Sequence, residues 1–249
     1  KNVYDEYKDR IGDIVSGTVS FADSHARLDT KTPFVVGRSS GNAGVLNLSY
    51  GPLTVNSSIG PAIATLGMDG ANSSLSLGGT LGSAAVYASQ VRAFAGAGIA
   101  SVQVDSNGVL EVDALVAELP TDAPSITLSG GTLRSKASLS AMGYFYNVPQ
   151  VKVSTGGVTF DWVAGSTQSV SAVLAHDGAG ASKDGGLRKI SAGTLILSGT
   201  NSYTGGTSVE AGMLSLASRL TDGLVYRLDA STNALYTLQI VDGSNVVSW

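Results

Sequence analysis

The sequence predicts an all-β solenoid, and three observations carry that prediction. Short runs in which apolar and polar residues alternate recur about every ten residues along most of the chain. The runs are punctuated by Gly, Asn, Asp, Ser or Pro, and glycine accounts for 32 of 249 residues, well above the usual share of about 7%. The third observation is a repeated local wording, a Gly or Ser corner followed by a two-point apolar alternation. It returns at Gly44-Val45-Leu46-Asn47-Leu48, Ser73-Ser74-Leu75-Ser76-Leu77-Gly78-Gly79, Gly108-Val109-Leu110-Glu111-Val112 and Ser129-Gly130-Gly131-Thr132-Leu133. Spacing alone fits a sandwich or a solenoid. The shared corners favour the solenoid, because a three- or four-residue strand buries too little apolar surface to offset ordering its own backbone and needs a like strand above and below.

Taken in order, residues 1–14 are the most charged segment. Val3, Tyr7, Ile11 and Ile14 fall at spacings of three and four, which predicts a short amphipathic helix. It reads equally as a cap over exposed strand edges or as a solvated lead-in. Strand signals follow at 15–21, 34–36, 45–48, 53–55, 63–66, 74–77, 84–87, 91–94, 101–104, 109–112, 125–128 and 132–133. Residues 114–119 read as one helical turn or as a strand ended by Pro120.

Residues 140–150 gather Tyr144, Phe145 and Tyr146 in a chain otherwise poor in aromatics. Flat rings stack against sugar CH faces, so these three are the candidate glycan or partner contacts; the competing reading is a loop folded over the flank of the coil to cover apolar surface.

Residues 186–216 hold the clearest alternation, Thr194-Leu195-Ile196-Leu197 and Met213-Leu214-Ser215-Leu216, with a weaker Thr207-Ser208-Val209 between them. The order Lys189, Ala192-Gly193-Thr194-Leu195, Leu197-Ser198-Gly199, Asn201, Tyr203-Thr204-Gly205-Gly206-Thr207, Val209, Ala211-Gly212, Leu214 closely resembles the autotransporter-associated β-strand repeat. The resemblance reaches back to about Thr155, with weaker echoes to about Val45. It implies turns of a right-handed parallel β-helix, found in passenger regions and other large bacterial surface or secreted proteins. Two positions depart from the family's usual letters: Ser191 stands for Gly and Met213 for Thr. Ser191 is expected to sit at a corner that does not demand a positive φ.

The solenoid is thus expected over 15–218, with 219–249 as a separate pair of C-terminal strands. Residues 223–249 resemble the opening of concanavalin A-like (laminin-G-like) jelly rolls, through Leu228-Asp229-Ala230-Ser231 and Gly243-Ser244-Asn245-Val246-Val247-Ser248-Trp249. So short a piece is marginal alone. Either the rest of such a domain lies beyond these residues, or Leu224, Tyr226, Leu228, Val246 and Trp249 pack on something else, with a second copy of the chain as the candidate for strand addition.

The composition excludes several classes of function. The net charge of −4 leaves no basic stripe for nucleic acid. There is no cysteine, hence no disulfide framework or thiolate metal site. No stretch is apolar for long enough to insert as a membrane helix, and residue 1 does not open a signal peptide, which predicts a piece of a longer, processed precursor. His25 and His176 lack metal-ligand spacing to a second His or Glu. Asp105, Glu111, Asp113, Glu118 and Asp122 cluster in sequence without basic neighbours and read as exposed corners. Asp105-Ser106-Asn107-Gly108 and Asp242-Gly243-Ser244-Asn245 are Asx-rich turns that need no calcium. No catalytic, cofactor or metal residue is assigned. The expected function is structural and extracellular, that of a stalk, adhesin passenger or filament subunit stacked on copies of itself or adjoining domains. The alternative is a carbohydrate-binding or polysaccharide-degrading module that meets surface glycans.

Overall fold

Strands of three to five residues dominate the computed structural model, and each takes its backbone partners from the coil before and the coil after. The described residues are 13–14, 17–21, 28–31, 34–37, 43–56, 65–68, 73–93, 100–135, 143–179, 182–216, 226–228, 238–242 and 245–247. They form a parallel β-solenoid whose coil visits three sheets in turn.

Sheet A stacks Asp13–Ile14, Phe34–Val36, Thr65–Met68, Gln90–Ala93, Ala114–Ala117 and Phe145–Tyr146. Sheet B runs from Gly17–Phe21 through Gly44–Leu48, Ser74–Leu77, Ser101–Asp105, Ser125–Ser129 and Gln150–Val153 to Val173–His176. Sheet C, the longest at nine strands, runs from Leu28–Lys31 to Tyr226–Leu228. A fourth sheet, D, holds Thr167–Val170, Thr194–Leu197, Met213–Leu216, Leu238–Asp242 and Asn245–Val247. It takes over the place of sheet A: the Leu115 amide donates to the Tyr144 carbonyl and the Tyr144 amide to the Ser169 carbonyl, so Tyr144 joins the two sheets in one column.

Period-two alternation fixes the register, since a slip by one residue would turn every side chain to the other face. In sheet B, Leu46, Leu75, Val102, Ile126, Val151 and Leu174 lie in one inward ladder, and Leu48, Leu77, Val104, Leu128 and Val153 in a second. Sheet C gives Leu53, Val86, Leu110, Leu133 and Phe160. The core is therefore a set of continuous apolar columns, and removing one methylene from any rung is felt by the rungs on both sides.

Three strands of sheet A follow a different rule. Phe34–Val36, Thr65–Met68 and Ala114–Ala117 are buried on both faces. Phe34-Val35-Val36 and Ala114-Leu115-Val116-Ala117 lack the polar half of the alternation, so a run such as the latter carries no period that separates strand from helix. The structure makes it a strand.

Other expectations change. Asp13–Ile14 is a strand in register with Val35 and Val36, so the end of the segment read as an amphipathic helix belongs to sheet A; residues 1–12 of that segment, with Val3, Tyr7 and Ile11, lie outside the described residues. Pairing with a neighbouring strand satisfies backbone groups that a helix this short holds poorly. Phe145–Tyr146 and Gln150–Val153 are rungs of sheets A and B rather than a loop laid over the flank. Leu28–Lys31, whose sequence LDTK carries no apolar alternation, is placed by its partners Leu53 to Asn56. At the C-terminal end, Tyr226–Leu228 extends sheet C in parallel and Leu238–Asp242 extends sheet D, with Asn245–Val247 folded back antiparallel on it.

Candidate functional site

The polar letters of 184–214 meet at the corners of the coil, and the corners are where this stretch differs from an anonymous solenoid. Between sheets B and C, the chain turns on Gly156-Gly157, Gly185-Gly186 and Gly205-Gly206 in successive coils, linked by Val158 N–H to the Gly186 carbonyl and Leu187 N–H to the Gly206 carbonyl. The approach is close enough that a Cβ on Gly186, whose φ is 74°, would collide with the Gly206 carbonyl oxygen.

Asp184 ties this corner together. One carboxylate oxygen accepts the Gly186 amide at 2.9 Å and the Gly205 amide at 2.7 Å. The other accepts the Thr204 amide at 2.6 Å and the Thr204 hydroxyl at 3.1 Å, and lies 3.1 Å from His176 Nδ1. Burial would raise this carboxyl, but the Thr204, Gly205 and Gly186 amides and the Thr204 hydroxyl outweigh it and hold it below its ordinary value. The three side chains Asp184, His176 and Thr204 are not a nucleophilic relay. Thr204 Oγ1 lies 3.4 Å from the same Nδ1 that faces Asp184, whereas a relay needs nucleophile and carboxylate on opposite ring nitrogens.

A second clamp involves Lys189. It occupies the inward ladder of sheet C, between Phe160 and Val209, and is 0% exposed. Its ammonium donates to the carbonyls of Ile190 and Ser191 at 2.6 Å each and of Ala211 at 3.3 Å, closing the corner between sheets C and D across two coils. Burial lowers the Lys189 pKa to about 8, against the opposing pull of the Asp161 charge.

Ser191 corrects an expectation. Its φ is 64°, so the corner does demand the left-handed region that a family glycine supplies without strain. The Ser191 hydroxyl donates to Asp161 Oδ1, which holds the residue there. Asp161 also accepts Arg134 Nε at 2.7 Å, and Arg134 Nη1 lies 3.6 Å from Glu111. Glu111, Arg134 and Asp161 are register partners on adjacent strands, a charge ladder up the outer face of sheet C. Arg134 is held above its ordinary value by the Asp161 hydrogen bond and the two carboxylate charges.

Asn201 and Tyr203 complete the set. In this coil no strand continues sheet B; instead the Asn201 side-chain oxygen accepts the Leu174 amide at 2.9 Å, and the Ser202 and Tyr203 amides donate to the Leu174 carbonyl. The Tyr203 hydroxyl lies 2.7 Å from Thr207 Oγ1 in the interior.

The remaining candidates fall as follows. Tyr144 and Phe145 are buried and pack edge-to-face at 5.0 Å, with Tyr144 4.9 Å from the Trp162 ring and Trp162 5.2 Å from Phe160. The three-ring platform is thus not formed, and only Tyr146 reaches the surface, at 38% exposure. Tyr226, Leu228 and Val246 lie on backbone paired within the same chain; Leu224, Trp249 and His25 lie outside the described residues. Glu118 pairs with Arg92 and Glu111 with Arg134, so neighbouring coils supply the basic partners that the local sequence lacks. Asp105 accepts the Gln103 side-chain amide, and Asn107, at φ 65°, donates to the Gly79 carbonyl. Among the described residues no three His, Cys, Asp or Glu side chains converge. A shallow groove of about 300 Å³ crosses the outer face of sheet C at Thr159, Arg188 and Ser208 above Gly156, Gly185 and Gly206; Arg188 is ion-paired with Glu210.

Residues 187–216, the stretch that holds most of these clamps, match the family model described as Passenger-associated-transport-repeat. Sequence reasoning missed what the polar letters of the repeat do; the signal was that Lys189, Asn201 and Tyr203 stand at positions the alternation turns inward. Over 91 residues the chain is 38% identical to the Adhesin BmaC autotransporter of Brucella suis biovar 1 (strain 1330), which covers 36% of this chain and 2% of that protein. The chain thus spans a small fraction of the length of the relative it matches. No solved structure matches it.

Proposed function

We propose that the chain is a rod segment of a surface-displayed or secreted passenger, and that its work is mechanical: it holds adjoining parts of a larger protein at a fixed spacing. The observation that supports this most is the use made of the repeat's polar side chains. Asp184, Lys189, Asn201 and Tyr203 are engaged with the backbone or interior of the coil, so the best-defined part of the chain is built for stacking rather than for presenting reactive groups. Parallel in-register coils add about 4.8 Å each and resist extension along the axis through continuous hydrogen-bond ladders. Among the described residues no three His, Asp or Glu side chains converge, and sugar stacking loses two of its three rings to the core. The similarity to an adhesin autotransporter is in keeping with a cell-surface setting.

The finer part of the proposal is self-association. A solenoid end is an open row of backbone donors and acceptors that a like end can continue. Negative-stain imaging of the isolated chain across a concentration series tests both parts: rods that lengthen as concentration rises are expected. Compact particles would overturn the rod reading, and rods of one fixed length with a monomeric mass by ultracentrifugation would overturn self-association alone.

A further inference from the structure

We infer that the interior corner where sheet C meets sheets A and D binds ordered water, held between the Tyr144 hydroxyl, the Trp162 indole N–H and the Asp113, Ser135 and Gln168 cluster. Tyr144 and Trp162 are both 0% exposed. Neither Tyr144 Oη nor Trp162 Nε1 has a hydrogen-bond partner among the described residues. A buried hydroxyl or indole N–H left without a partner costs free energy comparable to a lost hydrogen bond, and native interiors resolve such groups with protein or water.

The surroundings suit water rather than an apolar void. Trp162 is the register partner of Ser135. The Ser135 hydroxyl donates to Asp113 Oδ1 at 3.3 Å, and the Gln168 side-chain amide donates to the Ser135 hydroxyl and, at 3.1 Å, to the Asp113 carbonyl. Gln168, on the same coil as Trp162, thus reaches past the coil that carries Ser135 and Tyr144 to Asp113 on the coil beneath, and the corner is lined with polar atoms from three coils. Tyr144 is also close enough to Asp113 that, after burial, the carboxylate charge is the second influence raising its hydroxyl pKa. A buried water needs about two to four polar partners. The indole offers one donor, the hydroxyl a donor and an acceptor, and Asp113 acceptors.

This corner is also where sheet A gives way to sheet D.

The test uses the whole chain. Water–protein NOE spectroscopy on the Trp162 indole proton, separated from Trp249 by a Trp249→Phe variant, is expected to show transfer from a long-lived water. Tyr144→Phe keeps the ring and removes the hydroxyl, and is expected to shift the unfolding equilibrium about fivefold toward the unfolded chain. An indole proton that sees no water, or a Tyr144→Phe variant as stable as the parent or more so, would overturn the inference.

Discussion

The Lys189 ammonium donates to the Ser191 carbonyl at 2.6 Å from inside the apolar ladder of sheet C. A lysine in a strand ordinarily lies outward with its head in water. Here the side chain is turned in, and three carbonyls at the corners that follow converge on its ammonium.

That placement makes stability depend on pH in the alkaline range. The folded chain releases the Lys189 proton near pH 8 and the unfolded chain near 10.5. Between those values the unfolded state binds more protons, so stability rises with pH, by up to about 1 kcal/mol per pH unit. Tyr203, pushed up to about 12 by burial from an ordinary 10.0, acts in the opposite sense above pH 10, where the unfolded chain loses a proton that the folded chain keeps. Urea midpoints are expected to climb from pH 8 to near 10 and then fall, and Lys189→Met should flatten the climb.

Asp184 governs the acid side. Its folded carboxyl lies below the ordinary 3.8, so the stability it contributes is complete above that value and is lost as pH drops through the folded one. Asp184→Asn leaves the Gly186 and Gly205 amides without a carboxylate and is expected to destabilise by about 1–3 kcal/mol. Circular-dichroism melts between pH 2 and 7, a range set around the ordinary carboxylate pKa of about 4, should show a shallower acid limb in the variant.

How far the sequence revealed the architecture depended on whether each face met water. Sheets B and D were legible because Ser74-Leu75-Ser76-Leu77 and Thr194-Leu195-Ile196-Leu197 write both faces into the chain. Within sheet A, Ala114–Ala117 was blurred because it is buried on both sides and carries only one letter class. Leu28–Lys31 was invisible because its neighbours define it. The aromatic trio was misplaced for a related reason. The position that covers Tyr144 belongs to Trp162, on a later strand, and local sequence does not record that contact. The corner clamps were equally hidden, since hydrogen bonds such as Gln168 to Asp113 span 55 residues.

Two substitutions at Ser191 separate backbone strain from the hydrogen bond to Asp161 Oδ1. Ser191→Ala keeps the left-handed backbone at φ 64° and loses the bond to Asp161, so it is expected to cost about 1–2 kcal/mol. Ser191→Gly loses the same bond but relieves the backbone strain, and should cost distinctly less. If the two variants unfold at the same urea concentration, the left-handed corner is not strained.

Glycine corners allow a comparison in which backbone conformation is held nearly constant and only the space changes. Gly186 and Gly165 both have positive φ, 74° and 82°. A Cβ at Gly186 meets the Gly206 carbonyl and the Gly205 backbone of the next coil, whereas a Cβ at Gly165 meets nothing within 4 Å. Gly165→Ala should therefore cost only the left-handed strain, about 1 kcal/mol. Gly186→Ala must also push two coils apart, and because each coil's pairing depends on its neighbour, the loss should exceed that by about 2 kcal/mol or more. The prediction extends to position along the rod. Hydrogen exchange in Gly186→Ala should rise first in the amides of 187–190 and 207–209, the strands that flank the forced gap, while Ser74–Leu77 in the distant coils keeps its protection. Uniform loss of protection would mean that the solenoid unfolds as one unit and that the corner has no local stability of its own.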